Sequence, residues 1–104
     1  MSYLPKPYTS FRDAHPDVSS AYEELAKTCR RGPLDERTRE LVKLGIAIGA
    51  QSEGAVKSHT RKALDLGVTP DELEHAAVQA LTTIGFPEMI AAREWIHEVL
   101  VAAQ

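Results

Sequence analysis

Glu40 and His59 are the two residues of this sequence whose side chains are best suited to move a proton. An imidazole exchanges protons near neutral pH, and a carboxylate beside it can hold the ring in one orientation. Each residue also has a structural interpretation. His59 could be a core histidine satisfied by a carbonyl or carboxylate, and Glu40 could be solvated or paired with a nearby basic residue. The residues taken alone leave both interpretations open.

Four other side chains carry weaker chemical signals. Ser52 could be a nucleophile, but a serine there is also a natural helix N-cap, and the sequence has no GxSxG pattern. Lys57 and Arg61 could bind the carboxylate of an anionic substrate, or could form a solvated helix face. Cys29, the one cysteine of the chain, is interpreted as a small core residue rather than a redox thiol.

Five helices should position these residues, because every periodic segment repeats at 3.6 residues and the breaks coincide with Gly or Pro. The predicted helices span residues 16–30, 35–50, 53–66, 70–84 and 88–102. No β-sheet is expected, so the predicted fold class is all-α. Residues 1–11, which contain Pro5 and Pro7, are predicted to form an extended N-terminal arm.

Apolar residues are distributed unevenly among these helices. The first helix presents a stripe at i, i+4, i+7 and i+11, formed by Val18, Tyr22, Leu25 and Cys29. The helix over 35–50 is apolar almost all round, which is typical of a central helix enclosed by partners. Gly45 and Gly49 each cost about 1 kcal/mol relative to Ala, so we expect another backbone to approach that face. The apolar surplus of the last helix predicts burial between subunits.

The segments RELVKLGIAIGA, SHTRKALDLGVTPDELEHA and IGFP make the chain resemble the carboxymuconolactone decarboxylase and AhpD-like alkylhydroperoxidase superfamily over about residues 30–100. In thiol-bearing members a CxxC opens the second helix, a His follows the second Cys by four residues, and a Glu lies on the preceding helix. The resemblance implies that His59 and Glu40 are that His and that Glu. Ser52 and Ala55 then stand at the two cysteine positions, and both thiols are missing.

This resemblance implies an all-α, AhpD-like domain of five to six helices covering residues 1–104, assembled as a homotrimer or homohexamer. In the family pattern the glutamate faces the histidine. Helix geometry permits this here, since Glu40 and His59 differ by roughly 6 Å along the hairpin. We therefore expect a carboxymuconolactone decarboxylase-like protein with proton-transfer, lyase-type chemistry on a small anionic metabolite.

Two alternatives remain open at this point. Alkylhydroperoxidase or peroxiredoxin activity is disfavoured, because peroxide reduction needs a thiolate and a resolving thiol. A non-catalytic oligomeric scaffold belongs to a different class and would keep the fold without the chemistry.

Composition disfavours several other functions. A net charge of −3 with interspersed basic residues disfavours nucleic-acid binding. There is no run of about 18–20 apolar residues for a membrane span, and the first residues lack the pattern of a signal peptide, so we expect a cytoplasmic protein without membrane contact. A single cysteine excludes an internal disulfide and a Cys-rich zinc site. We expect no metal ion and no cofactor.

Overall fold

Helices form the regular secondary structure of residues 4–104, the part of the chain that the computed structural model describes. They are α1 (Lys6–Ala14), α2 (Pro16–Arg30), α3 (Glu36–Gly49), α4 (Glu53–Asp65), α5 (Pro70–Val78) and α6 (Phe86–Ala102). The all-α fold class is confirmed. Of these helices, α1 was not predicted from the periodicity.

The extended arm predicted for residues 1–11 is wrong for the part that forms α1. Proline breaks a helix interior but is tolerated in the first turn, where its missing N–H would have no partner within the helix. Pro5 is the N-cap and Pro7 lies in the first turn, so the prolines begin α1 rather than prevent it. The Tyr8 hydroxyl donates to Glu23 Oε1 at 3.0 Å and ties α1 to α2. The first three residues of the predicted arm lie outside the described residues.

The chain divides into two compact units, one ending at Asp35 and one formed by Glu36–Gln104, and the single domain expected from the sequence stays a prediction. The first unit contains the α1–α2 hairpin, and within these two helices Ser19 alone is buried. The apolar stripe of α2 is exposed, including Cys29, so the interpretation of that cysteine as a core residue was wrong. The stripe is exposed because it lies on a different side of α2 from Ser19 and the half-buried Ala26. Those two residues mark the side of the helix that the rest of the chain covers.

The hydrophobic core lies in the second unit, where α3, α4, α5 and α6 meet. Each helix contributes a fully buried side chain, namely Leu44, Val56, Leu73 and Ile96. Burying a side chain of this size contributes roughly 1.5–3 kcal/mol relative to leaving it in water. Helix α3 contacts all three of the others, but Val42 and Ile46 are exposed, so the prediction that this helix is enclosed all round was wrong within this chain. This packing fixes the positions of the side chains on α3 and α4.

Turn and cap signals fix the helix ends in this unit. The Glu72 N–H donates to Thr69 Oγ1 at 3.1 Å, and the Thr69 N–H donates to Glu72 Oε1 at 2.9 Å, which is the expected capping box of α5. Gly67 has a φ of 87°, a left-handed conformation that suits glycine after the end of α4. Helix α5 ends at Val78, earlier than predicted, because the chain continues to Gly85 mainly in short i→i+3 turns.

Candidate functional site

The turn between α3 and α4 sets the geometry of the candidate site. Gln51 reverses the chain with a φ of 52°, in the left-handed region, and Ser52 begins α4 as its N-cap. Gln51 Nε2 donates to the carbonyl of Ile48 at 2.9 Å and to that of Glu88 at 3.1 Å. The turn is therefore tied both to the end of α3 and to the start of α6, which holds α3 and α4 side by side.

Glu40 and His59 meet across this hairpin. Glu40 Oε1 lies 2.8 Å from His59 Nδ1, within hydrogen-bond distance. The two side chains are 12% and 20% exposed, so the pair lies mostly out of water but can still be reached from it. The contact agrees with the axial offset inferred from helix geometry. A catalytic role for the pair remains a prediction.

The contact through Nδ1 determines what the other ring nitrogen can do. A neutral His59 that donates its Nδ1–H to the Glu40 carboxylate has its lone pair on Nε2 and can accept a proton there. Once protonated, the ring can donate that proton from Nε2, and the carboxylate stabilises the imidazolium in the meantime. The arrangement is that of an oriented acid–base group.

Lys57 is engaged by two carboxylates. Its Nζ lies 2.7 Å from Glu53 Oε2 and 3.3 Å from Glu98 Oε2. The hydrogen bond to Glu53, helped by the one to Glu98, raises the pKa of Lys57 above its usual 10.5. The two carboxylates already neutralise the charge of this ammonium group, so Lys57 should bind the carboxylate of an anionic substrate more weakly than an unpaired lysine would. Its observed contacts join α4 to α6.

Arg61 and Ser52 do not share the surroundings of the Glu40–His59 pair. Arg61 is half-buried and follows His59 by two residues, which places it roughly 200° further round α4. Ser52 is exposed and occupies the predicted N-cap position, but its side chain makes no capping hydrogen bond. The substrate-binding role of Arg61 and the nucleophilic role of Ser52 remain predictions.

A second charged cluster, which the sequence analysis missed, joins α5 to α6. Glu74 Oε2 accepts a hydrogen bond from Arg93 Nε at 2.6 Å, and Glu74 Oε1 lies 3.4 Å from His97 Nε2. The bond from Arg93 holds the pKa of Glu74 below its usual 4.5. Glu74 and Arg93 are 19 residues apart, the same separation as Glu40 and His59, but the connection between their helices is longer, so this spacing is not a sequence signal for the cluster.

Residues 4–104 contain neither a metal-binding cluster nor a membrane-spanning helix. No three His, Cys, Asp or Glu side chains in this part of the chain are grouped so that they could hold a metal ion. None of its helices combines the length and the apolar character that crossing a bilayer requires.

The carboxymuconolactone decarboxylase family matches residues 16–98 of the chain. The chain belongs to this family. The match begins at the first residue of α2 and ends within α6, so it includes both Glu40 and His59. The relation to the AhpD-like superfamily is thereby confirmed.

Three proteins that are similar to this chain cover different shares of it. An uncharacterized protein of Methanocaldococcus jannaschii is 33% identical over 85 residues, which cover 81% of this chain and 79% of that protein. A nitrosuccinic acid decarboxylase of Metarhizium robertsii is 36% identical over 63 residues, which cover 61% of this chain and 44% of that protein. The crystal structure of a carboxymuconolactone decarboxylase family protein from Legionella pneumophila aligns with a TM-score of 0.79 at 25% identity, covering 92% of this chain and 87% of that one.

Proposed function

We propose that this chain catalyses decarboxylase-type proton transfer on a small carboxylic acid, with His59 as the acid–base group and Glu40 as the residue that orients it. The observation that carries the proposal is the 2.8 Å contact between Glu40 Oε1 and His59 Nδ1. Because both side chains are largely shielded from water, the carboxylate holds the ring more firmly than an exposed partner would. Membership of the carboxymuconolactone decarboxylase family supports the reaction type.

The proposed reaction breaks the bond between a carboxylate carbon and the carbon next to it. CO₂ leaves, and the bonding electron pair stays on the neighbouring carbon, where an electron-withdrawing substituent delocalises it. The imidazolium of His59 then delivers its Nε2 proton to that carbon, and the ring takes up a new proton from water. One proton is consumed for each CO₂ released. Glu40 stabilises the imidazolium until the transfer.

The nitrosuccinic acid decarboxylase supports this substrate class. Its name specifies a small dicarboxylic acid with a nitro group, which is an electron-withdrawing substituent. By analogy, the substrate of this chain is a small acid with such a substituent beside the departing carboxylate. Lys57 and Arg61 are the predicted cations for a second carboxylate, but Glu53 and Glu98 already neutralise part of the charge of Lys57, and Arg61 lies on another side of α4 from His59.

Decarboxylation of nitrosuccinate in D₂O tests the proposal directly. The wild-type protein should release CO₂ and leave one deuterium on the carbon that carried the lost carboxylate, as measured by NMR. His59→Gln removes the acid–base group and should lower kcat about 10²–10⁴-fold. Glu40→Gln keeps the size of the side chain but weakens its hold on the ring, so a smaller loss is expected. His75→Gln makes the same change at an exposed histidine of α5 and is the matched control, which should retain the wild-type rate.

Two results would contradict the proposal. One is a His59→Gln protein that decarboxylates at the wild-type rate. The other is a folded wild-type protein that releases no CO₂ from nitrosuccinate, oxaloacetate or related substituted dicarboxylates. Circular dichroism of each variant separates loss of chemistry from loss of the helical fold.

A non-catalytic scaffold is the second candidate function, and one observation favours it. The second unit has an apolar groove of about 210 Å³ between α3 and residues 76–84, which are the end of α5 and the turns after it, and neither Glu40 nor His59 lines it. A protein with an apolar groove away from its acid–base pair is a reasonable assembly subunit. This candidate predicts no turnover, whereas self-association is expected of both candidates, so the NMR assay is the measurement that distinguishes it from the enzyme.

A further inference from the structure

Two lysines, Lys43 and Lys62, lie beside the Glu40–His59 pair. Lys43 follows Glu40 by three residues on α3, and Lys62 follows His59 by three residues on α4. Residues three apart are neighbours on a helix surface. Because the two helices run in opposite directions, this step of about 4.5 Å takes Lys43 towards the turn and Lys62 away from it. Glu40 lies roughly 6 Å further from the turn than His59, so each lysine comes close to the level of the opposite helix's member of the pair.

Both lysines lie on the side of the hairpin that faces away from the core. The residues that follow the two members of the pair by four positions are Leu44 and Ala63, and both are 0% exposed. In a helix of about 3.6 residues per turn, positions i+3 and i+4 lie on opposite sides of residue i. Since the i+4 positions face the core, the i+3 positions face away from it. Lys43 is accordingly half-buried and Lys62 is exposed.

Neither of these lysines is paired with a carboxylate of residues 4–104. The lysine salt bridges in this part of the chain engage Lys27 and Lys57. Lys43 and Lys62 take no part in them. Removing an ammonium group from water without an anionic partner is unfavourable, so an anion would stabilise the half-buried Lys43 in particular. Two positive charges beside the acid–base pair are therefore available to an anionic ligand.

Helix rotation distinguishes Lys62 from the other basic residues of α4. Lys57 and Arg61 are each two residues from His59, which corresponds to about 200° of rotation and places them on nearly the opposite side of the helix. Three residues correspond to about 300°, so Lys62 lies within about 60° of the side that His59 occupies. Of these three cations, Lys62 is the one on the side of α4 where His59 contacts Glu40.

We propose that Lys43 and Lys62 bind the two anionic groups of the substrate beside Nε2 of His59. The inference rests on the proposed decarboxylation, in which the bonding electron pair moves towards an electron-withdrawing substituent while a second carboxylate keeps its charge. Lys43 is the cation for the substituent, because a half-buried charge is screened less by water and stabilises developing negative charge more strongly. Lys62, which is exposed, is the cation for the carboxylate that stays on the substrate.

Succinate tests this site without turnover. It has no electron-withdrawing substituent, so it does not decarboxylate, and its second carboxylate stands in for the substituent. The affinity is measured by titrating succinate against the ¹H–¹⁵N ring signals of His59, which are identified by their absence in His59→Gln. Lys43→Met and Lys62→Met each remove an ammonium group and keep an unbranched side chain that suits a helix. Lys27→Met removes the same charge from α2 and is the matched control.

The expected losses of affinity follow burial. Lys43→Met should weaken succinate binding at least about tenfold, since a hydrogen bond to a charged group is lost. Lys62→Met should weaken it by a smaller factor, because exposed ion pairs contribute less. Lys27→Met should bind as the wild type does. Lys43→Arg keeps the positive charge and should recover most of the affinity lost in Lys43→Met.

Turnover of nitrosuccinate separates the two roles. Lys43→Met should lower kcat about 10²-fold, because the lysine stabilises charge that develops in the transition state. Lys62→Met should raise KM with little change in kcat, because the second carboxylate is charged throughout the reaction. Unchanged succinate affinity in Lys43→Met or in Lys62→Met would overturn the proposal, as would a wild-type protein that does not bind succinate in the millimolar range. Lysine-dependent binding of succinate by a protein that releases no CO₂ would support this site and contradict the proposed function.

Discussion

The coupling between Glu40 and His59 can be measured with a double-mutant cycle of Glu40→Ala, His59→Ala and the double variant. Hydrogen bonds to charged groups contribute about 1.5–3 kcal/mol, and exposed ion pairs about 0.2–1 kcal/mol. The pair is 12% and 20% exposed with a 2.8 Å contact, so it lies nearer the first class. We expect a coupling free energy of about 1–2 kcal/mol, because some water still reaches both groups.

Urea unfolding near neutral pH, followed by circular dichroism at one fixed protein concentration, gives the four unfolding free energies of the cycle. Lys57→Ala and Glu53→Ala form a matched control cycle, since that contact is 2.7 Å long but Glu53 is 54% exposed. The control coupling should be smaller and should weaken more in high salt. A Glu40–His59 coupling below about 0.5 kcal/mol would refute the reasoning, because the carboxylate would then not hold the ring.

Two further predictions follow from other contacts. The bond from Arg93 lowers the pKa of Glu74, so the stability it contributes is present above the ordinary pKa of 4.5 and is lost as the pH falls through the lower folded value. Glu74→Gln should therefore flatten the fall in unfolding free energy below about pH 4.5 in urea titrations, and parallel curves for variant and wild type would contradict this. The purified protein should show no thiol-dependent peroxide consumption, because Ser52 and Ala55 replace the thiols and Cys29 is the single cysteine. A peroxidase activity that Cys29→Ser abolishes would show this prediction to be wrong.

Local signals in the sequence predicted most of the helices, because capping and chain-breaking residues act over a few positions. Thr69 and Glu72 form the expected capping box, and α2 has the predicted bounds. The same reasoning failed at Pro5 and Pro7, since a proline that breaks a helix interior also suits a helix start. Composition alone does not distinguish these two uses. The residues that follow Pro7 form a helix that packs on α2 through Tyr8.

Burial was harder to predict than helix position, because it depends on which side of a helix the rest of the chain covers. Cys29 lies on a regular apolar stripe and is nevertheless exposed. The contact between Lys57 and Glu98 depends on how α4 packs against α6, which no local pattern encodes. Glu40 and His59, in contrast, lie on two helices joined by a short turn, so helix rise alone brings them close.

The two pairs separated by 19 residues show that hairpin geometry does not by itself make an acid–base site. Glu40 and His59 bridge α3 and α4, as Glu74 and Arg93 bridge α5 and α6, and each pair joins a carboxylate to a nitrogen donor. An arginine remains protonated at every physiological pH, and the carboxylate of Glu74 raises the pKa of Arg93 still further. That pair can hold two helices together but cannot release a proton. An imidazole can do both. His97 lies 3.4 Å from Glu74 and is 45% exposed. His59 lies 2.8 Å from Glu40 and is 20% exposed, which is why the proposed chemistry belongs to His59.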